Sequence, residues 1–126
     1  MPSIGFPGPT VARKGAYELR EALRGLPVEL WVGGSELEGP GFWEGLQVRS
    51  VSPTAVVAAD LVVQPALLED APRALLLARA LGRPVVATAA CGLTEGVSVV
   101  PFGNVDALRS AIETGMRCTE RYFPTL

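Results

Sequence analysis

The sequence contains no histidine. That excludes Ser-His-Asp and Cys-His catalysis and zinc sites that use imidazole. Its two cysteines, Cys91 and Cys118, lie far apart with no metal-ligand spacing, which reads as free thiols in a reducing compartment. No apolar run approaches the roughly 20 residues of a spanning helix, and no signal-like segment opens the chain. The expectation is a soluble, cytoplasmic protein. A formal charge of -2 and a pI near 5.1 argue against nucleic acid or an anionic membrane as a global partner. No G-K-[ST] is present, and no G-x-G-x-x-G follows the first apolar segment, so neither a Walker phosphate loop nor a nicotinamide site is expected. No acidic cluster suggests a metal, and no cofactor is expected.

What is present is apolar and regularly punctuated. With 126 residues and 48% hydrophobic content, the chain can bury one substantial core as a single domain, residues 1–126. Its organising stretch is Asp60 to Thr88: an apolar run of strand length, a loop, an Ala/Leu-rich helix over Ala74 to Leu81 and a second apolar run from Arg83. This is a βαβ unit. Further strands are predicted at Ser3 to Phe6, Val28 to Val32, Gln47 to Val51 and Val97 to Pro101. Leu19, Ala22, Leu23 and Leu26 recur at helical spacing before Gly25 and Pro27 close that helix. Pro53 to Ala59 has room for one or two helical turns. Asn104 is suited to cap a last helix with its stripe at Val105, Leu108 and Ile112. The fold class is α/β, a Rossmann-like doubly wound sheet of about six parallel strands with helices on both faces.

In such folds ligands sit outside the strands' carboxyl ends, which here directs attention to Gly8 to Lys14, to Gly33 and Gly34, and to Ala66 to Arg73. The start of the central helix offers free N–H groups and a dipole to an anion. Each candidate also has a plain structural reading. Lys14 and Arg13 can be solvated charges, Glu69 and Asp70 can favour the helix dipole, and Arg73 can pair with Asp70. Phe42 and Trp43 read as an anchor pinning an irregular segment, Cys91 as a small buried thiol, and Leu75, Leu76, Ala78 and Leu81 as core.

The order of several pieces resembles the C-terminal, nucleotide-sugar-binding domain of retaining GT-B glycosyltransferases, group 1. These are Gly8 followed by Lys14-Gly15, Leu30-Trp-Val-Gly33, Ala59-Asp-Leu-Val-Val-Gln-Pro65, Glu69, Ala80-Leu-Gly-Arg-Pro-Val-Val-Ala-Thr88, and Val99-Val-Pro101 with Asn104-Val-Asp-Ala-Leu108. The resemblance implies a donor site with Lys14 and Glu69 in the catalytic roles. Lys14 would neutralise the leaving diphosphate and Glu69 would contact sugar hydroxyls. Gly8, Thr10, Arg13, Asp70, Ala71, Pro72, Arg73 and Ala74 complete the diphosphate and sugar surroundings, and Gly33, Gly34, Val51, Ser52 and Leu77 lie in the nucleotide's vicinity. Two positions depart from the family pattern. Pro9 stands where an arginine shares the diphosphate, and Leu77 where a second glutamate grips ribose. Arg13 and Arg73 are the groups that could take over phosphate charge.

Three readings stand: the donor half of a glycosyltransferase, a non-catalytic interaction module, or an unrelated nucleotide or phosphometabolite binder. The first implies a nucleotide-sugar donor, no metal, and an N-terminal acceptor-binding domain outside this chain. It also implies an inactive isolated chain, and a membrane-peripheral location for the longer enzyme stays open. A start directly at a strand points to an excised fragment. The tail, Met116 to Leu126, is then expected to be helical or to dock on the absent half, with dimers through exposed apolar surface otherwise.

Overall fold

The computed structural model describes residues 1–67, 73–92 and 96–122, the last five of these as backbone. Six strands, β1 (Ser3–Phe6), β2 (Glu29–Val32), β3 (Gln47–Ser50), β4 (Leu61–Gln64), β5 (Val85–Thr88) and β6 (Val97–Val100), form one sheet in the order β3-β2-β1-β4-β5-β6. Every pairing is parallel. The doubly wound reading holds, and the six strands lie where the sequence placed them, five on apolar runs and β3 as an exposed edge strand. The sequence leaves β1 toward β2 on one side and resumes beside β1 with β4 on the other, so the switch point falls between β1 and β4.

Alternation along the strands divides the core by face. Ile4, Phe6, Leu30, Val32, Leu61, Val63 and Val86 pack with Leu19 and Leu23 of α1 (Ala16–Leu23) and with Leu108 and Ile112 of α3 (Val105–Tyr122). On the other face Val62, Val85 and Ala87 meet Leu75 and Ala78 of α2 (Arg73–Ala80), together with Val56 and Val57 from a 3-10 turn at Ala55–Ala58. Gly5 makes that second face possible. A Cβ there would run into the Val56 carbonyl and stand 3.0 Å from Ala59 Cβ, so the turn lies directly on β1.

Phe42 and Trp43 do anchor the irregular segment. Trp43 is buried, 6.0 Å edge-on from Phe6 and 4.7 Å from Phe42. Tyr17 meets Phe42 at 5.0 Å, and the Arg20 guanidinium sits 4.6 Å above Phe42. α3 also closes α1: Arg109 Nη1 donates to the carbonyls of Arg24 at 2.6 Å and Ala22 at 3.4 Å, partnering groups at a helix end that have no partner within α1.

Some expectations are corrected. A 3-10 turn at Ala12–Lys14 interrupts the first loop, and α1 ends at Leu23, leaving Leu26 to pack from the following turn. On α2 only Leu75 and Ala78 are buried. Leu76 is 42% exposed because an eight-residue helix lying on a sheet buries a single i, i+3 stripe and turns neighbouring positions outward, and Leu81, 56% exposed, lies just past the helix's end at Ala80. Gly115 does not end α3. The helix runs on to Tyr122, and Gly115 rests against Leu61, whose Cδ1 would lie 3.0 Å from an added Cβ. Asn104 caps as expected, its Oδ1 accepting from the Ala107 amide at 2.9 Å. Among the described residues no helix is long and apolar enough to cross a membrane.

Replacing Gly5 with alanine should overpack the β1 surface and lower stability by about 1–3 kcal/mol. Calorimetric melting would record this as a drop of several degrees, on the order of 4 °C per kcal/mol.

Candidate functional site

The site is built where the strands' carboxyl ends diverge on either side of the switch point. Gly8 turns the chain out of β1 with φ +73, and a Cβ on it would approach the Gly33 carbonyl oxygen to 2.6 Å. Only a residue without a side chain lets the loops after β1 and β2 touch in this way. Gly34 lies beside Pro9, 3.4 Å from its Cα by the same measure. Thr10 is fully buried. Its amide donates to Ser35 O at 2.9 Å and its carbonyl accepts from Leu37 N at 3.1 Å, a short parallel bridge that binds the first loop to the second.

The same loop is tied to the other side of the crevice. Leu67 N donates to Arg13 O at 2.7 Å, linking the loop after β4 to the segment that carries Arg13 and Lys14. Gly15, φ +81, follows at once, and a Cβ there would fall 2.7 Å from the carbonyl carbon of Pro65. Glycine is again what allows two main chains to meet. The loop after β4 is held from beneath by buried polar contacts: Thr88 Oγ1 donates to Ala66 O, and Cys91 Sγ to Gln64 O at 3.6 Å. Cys91 is buried in the second core cluster, so its structural reading holds.

The structure therefore gathers Gly8, Thr10, Arg13, Lys14, Gly33 and Gly34 around one crevice, with Ala66 and Leu67 on its far wall. Lys14 is half-buried and is the only lysine of the chain, whereas Arg13 is exposed. Val51 continues β3, its amide donating to Val32 O at 3.0 Å. The exposed Ser52 accepts from Ala55 N at 3.1 Å and so begins the 3-10 turn. Arg73 opens α2, exposed, while Ala74 packs partly into the second cluster. Leu77 is 44% exposed on the second turn of α2. Glu69, Asp70, Ala71 and Pro72 lie outside the described residues. A separate cleft of about 520 Å³ between Glu36 and Val48 has glutamates and no lysine or arginine in its lining, which makes it a poor place for an anion.

Sequence reasoning missed two participants. Glu38 enters from the second loop, with Oε1 accepting from Ala12 N at 3.2 Å and Oε2 from Tyr17 OH at 2.7 Å. Its reach across 26 residues left no trace in local spacing. Gln64, buried at the end of β4, donates through Nε2 to Gly8 O at 3.1 Å. A polar residue closing an apolar strand was a visible signal for it. Thr10 Oγ1 is buried without a hydrogen-bond partner among the described residues.

With this geometry established, relatives can be placed. The family model for glycosyl transferases group 1 matches residues 2–117, and the chain belongs to that family. The sucrose-phosphate synthase of Thermosynechococcus elongatus superposes with a TM-score of 0.76 and 25% identity, over 94% of this chain and 37% of that one. WaaG, a glycosyltransferase involved in lipopolysaccharide biosynthesis, gives 0.69 and 25% over 97% and 42%. Anabaena Alr3699/HepE, solved in complex with UDP and glucose, shares the fold at 0.74 with 22% identity over 94% and 39%. The chain thus spans about two fifths of the length of these proteins. No curated protein matches it.

The hydrogen bond to Glu38 is the main cause that holds the Tyr17 phenol above its usual 10.0, aided by desolvation and the carboxylate's charge and opposed by Arg20. A raised acid keeps its proton longer, so this contact is fully present below pH 10 and is lost as pH rises through the raised value. Glu38→Gln should bring the Tyr17 titration down toward 10.0. Near-ultraviolet absorbance in a Tyr122→Phe background would follow it.

Proposed function

We propose that the chain is the donor-binding part of a glycosyltransferase and holds a nucleoside-diphosphate sugar in the crevice between β1 and β4. The observation that carries this reading is the Arg13–Leu67 main-chain bond, which sets the sole lysine at the meeting of the loops after β1 and β4. Family membership and the UDP in a protein of the same fold support it.

In the reaction the bond between the sugar's anomeric carbon and the β-phosphate oxygen breaks, and the diphosphate leaves with the electron pair. The sugar bonds to an acceptor oxygen, which gives up its proton. Charge therefore builds on the departing phosphate. Lys14 and Arg13, with Arg73 at the start of α2, are the cations this chain offers against it, and no metal is required. Pro9 brings no such charge, so Arg13 and Arg73 stand in for the family's arginine. Glu69 contacts the sugar hydroxyls. With Leu77 in place of a carboxylate, ribose is held by main-chain groups. The acceptor and any further catalytic group come from an N-terminal domain, and this chain alone transfers no sugar; Met116 packs on this domain's own core, so docking falls to the residues after it. Exposed leucines on α2 permit dimers when that domain is absent.

A single lysine makes the test direct. Reductive methylation with ¹³C-formaldehyde places an NMR probe on Lys14 besides the amino terminus, and titration with UDP, GDP, ADP and TDP should move that signal for one of them. Lys14→Ala should weaken binding of that nucleotide about 10- to 100-fold by calorimetry, with Lys14→Arg retaining most of it. Absence of any response, here and in a longer protein carrying the acceptor domain, would overturn the reading.

Glu38 opposes the anion, because its carboxylate occupies the Ala12 amide beside the diphosphate loop. Glu38→Gln should therefore tighten the same nucleotide about two- to fivefold in low salt, measured in the same titration.

A further inference from the structure

Gln64 is 1% exposed in a strand otherwise made of Leu61, Val62 and Val63. A methionine would fill the same length without burying an amide, so the polar group needs a reason. Its contact supplies one. Nε2 donates to Gly8 O at 3.1 Å, across the switch point.

That carbonyl is unusual within its loop. Pro9 follows Gly8, so the peptide unit joining them carries an oxygen and no N–H. Of the peptide units from Gly8 to Lys14 it alone carries no N–H; the amides of Thr10, Val11, Ala12 and Lys14 donate within the protein, and a Gly8 oxygen left facing the crevice would repel an anion. Gln64 draws the oxygen toward the sheet. The backbone of Gly8 is meanwhile pressed on the Gly33 carbonyl, and Gln64 O accepts from Cys91 Sγ. The first loop is thus gripped from β2 on one side and β4 on the other, and Gln64 is the side chain that supplies the second grip.

We infer that Gln64 is a positioning residue for the donor diphosphate: its amide turns the Gly8–Pro9 carbonyl out of the anion's field and sets the loop that carries Lys14. The inference rests on the nucleotide-sugar reading above. It assigns Gln64 no contact with the sugar or the base, so its effect is confined to phosphate.

The intact protein tests this by calorimetry with the responding nucleoside diphosphate and with the matching nucleoside, which has no phosphate. Gln64→Met should weaken the diphosphate about tenfold and leave the nucleoside unchanged, and Gln64→Glu, which sets a carboxylate against the carbonyl, should weaken it further. Ile112→Val, a core change under α3, should lower stability without moving either affinity. In the wild-type chain, where no variant has to fold, the ¹⁵N side-chain amide signal of Gln64 should shift on titration with the same Kd as the Lys14 signal. Equal diphosphate affinity in Gln64→Met, an equal loss for nucleoside and diphosphate, or a Gln64 signal that stays fixed while that of Lys14 moves would each overturn the inference. Failure of both the wild-type chain and a longer protein carrying the acceptor domain to bind any diphosphate would instead overturn the nucleotide reading itself.

Discussion

The parallel pairing of β1 with β4, through Ile4 with Leu61 and Gly5 with Val62, is the contact on which the rest of the molecule depends. Strands are added outward from it to either side, so the loops leaving β1 and β4 lead to helices on opposite faces and bound a crevice, tied together where Leu67 N donates to Arg13 O. A glycine at position 5 allows the Ala55–Ala58 turn to lie against β1 beneath that crevice. Asp60 and Ser3 lock the other end of the two strands, with the Asp60 carboxylate accepting from the Ser3 amide at 2.9 Å and the Ser3 hydroxyl accepting from the Asp60 amide at 2.9 Å. The site is a by-product of where the sheet reverses.

Glycines decide how closely the walls of that crevice approach. Gly8 and Gly15 bring the first loop against main chain from β2's end and from β4's end, at separations no side chain would tolerate. Rigid scaffold and charged loop are thereby joined with little slack, which is what placement of a polyanion requires. The acidic residue at the margin, Glu38, shows the opposite tendency. Its hydrogen bonds to Ala12 and Tyr17 order the same loop while setting a negative charge near the proposed ligand, so order and affinity pull against each other at one carboxylate.

Strands were legible in the letters because runs such as Leu61-Val-Val and Val85-Val-Ala are apolar at every position, as parallel strands covered on both faces must be. Lys14 and the glycine turns could be placed because short βα loops keep sequence neighbours together. The partners of those loops were not legible. Glu38 reaches Ala12, and Gln64 reaches Gly8 across 56 residues, through contacts that only the assembled sheet creates. The burial of α2 was misjudged for a related reason: Leu75 and Leu76 are one residue type in the sequence, and only the face each presents to the sheet distinguishes buried from exposed, while Leu81 falls just past the helix's end.

The guanidinium of Arg109 resting on the carbonyls of Ala22 and Arg24 bears on how the chain is made. During synthesis α1 emerges well before its closing partner Arg109 and the hydrophobic side chains that cover it, Leu108 and Ile112, which follow more than eighty residues later. β1 likewise waits for β4. The amino-terminal third can collapse but cannot complete itself on the ribosome, and the ordering entropy of the whole loop must be met before these contacts repay it. Folding is thus deferred until the last helix is available, which makes α3 the final clasp of the domain.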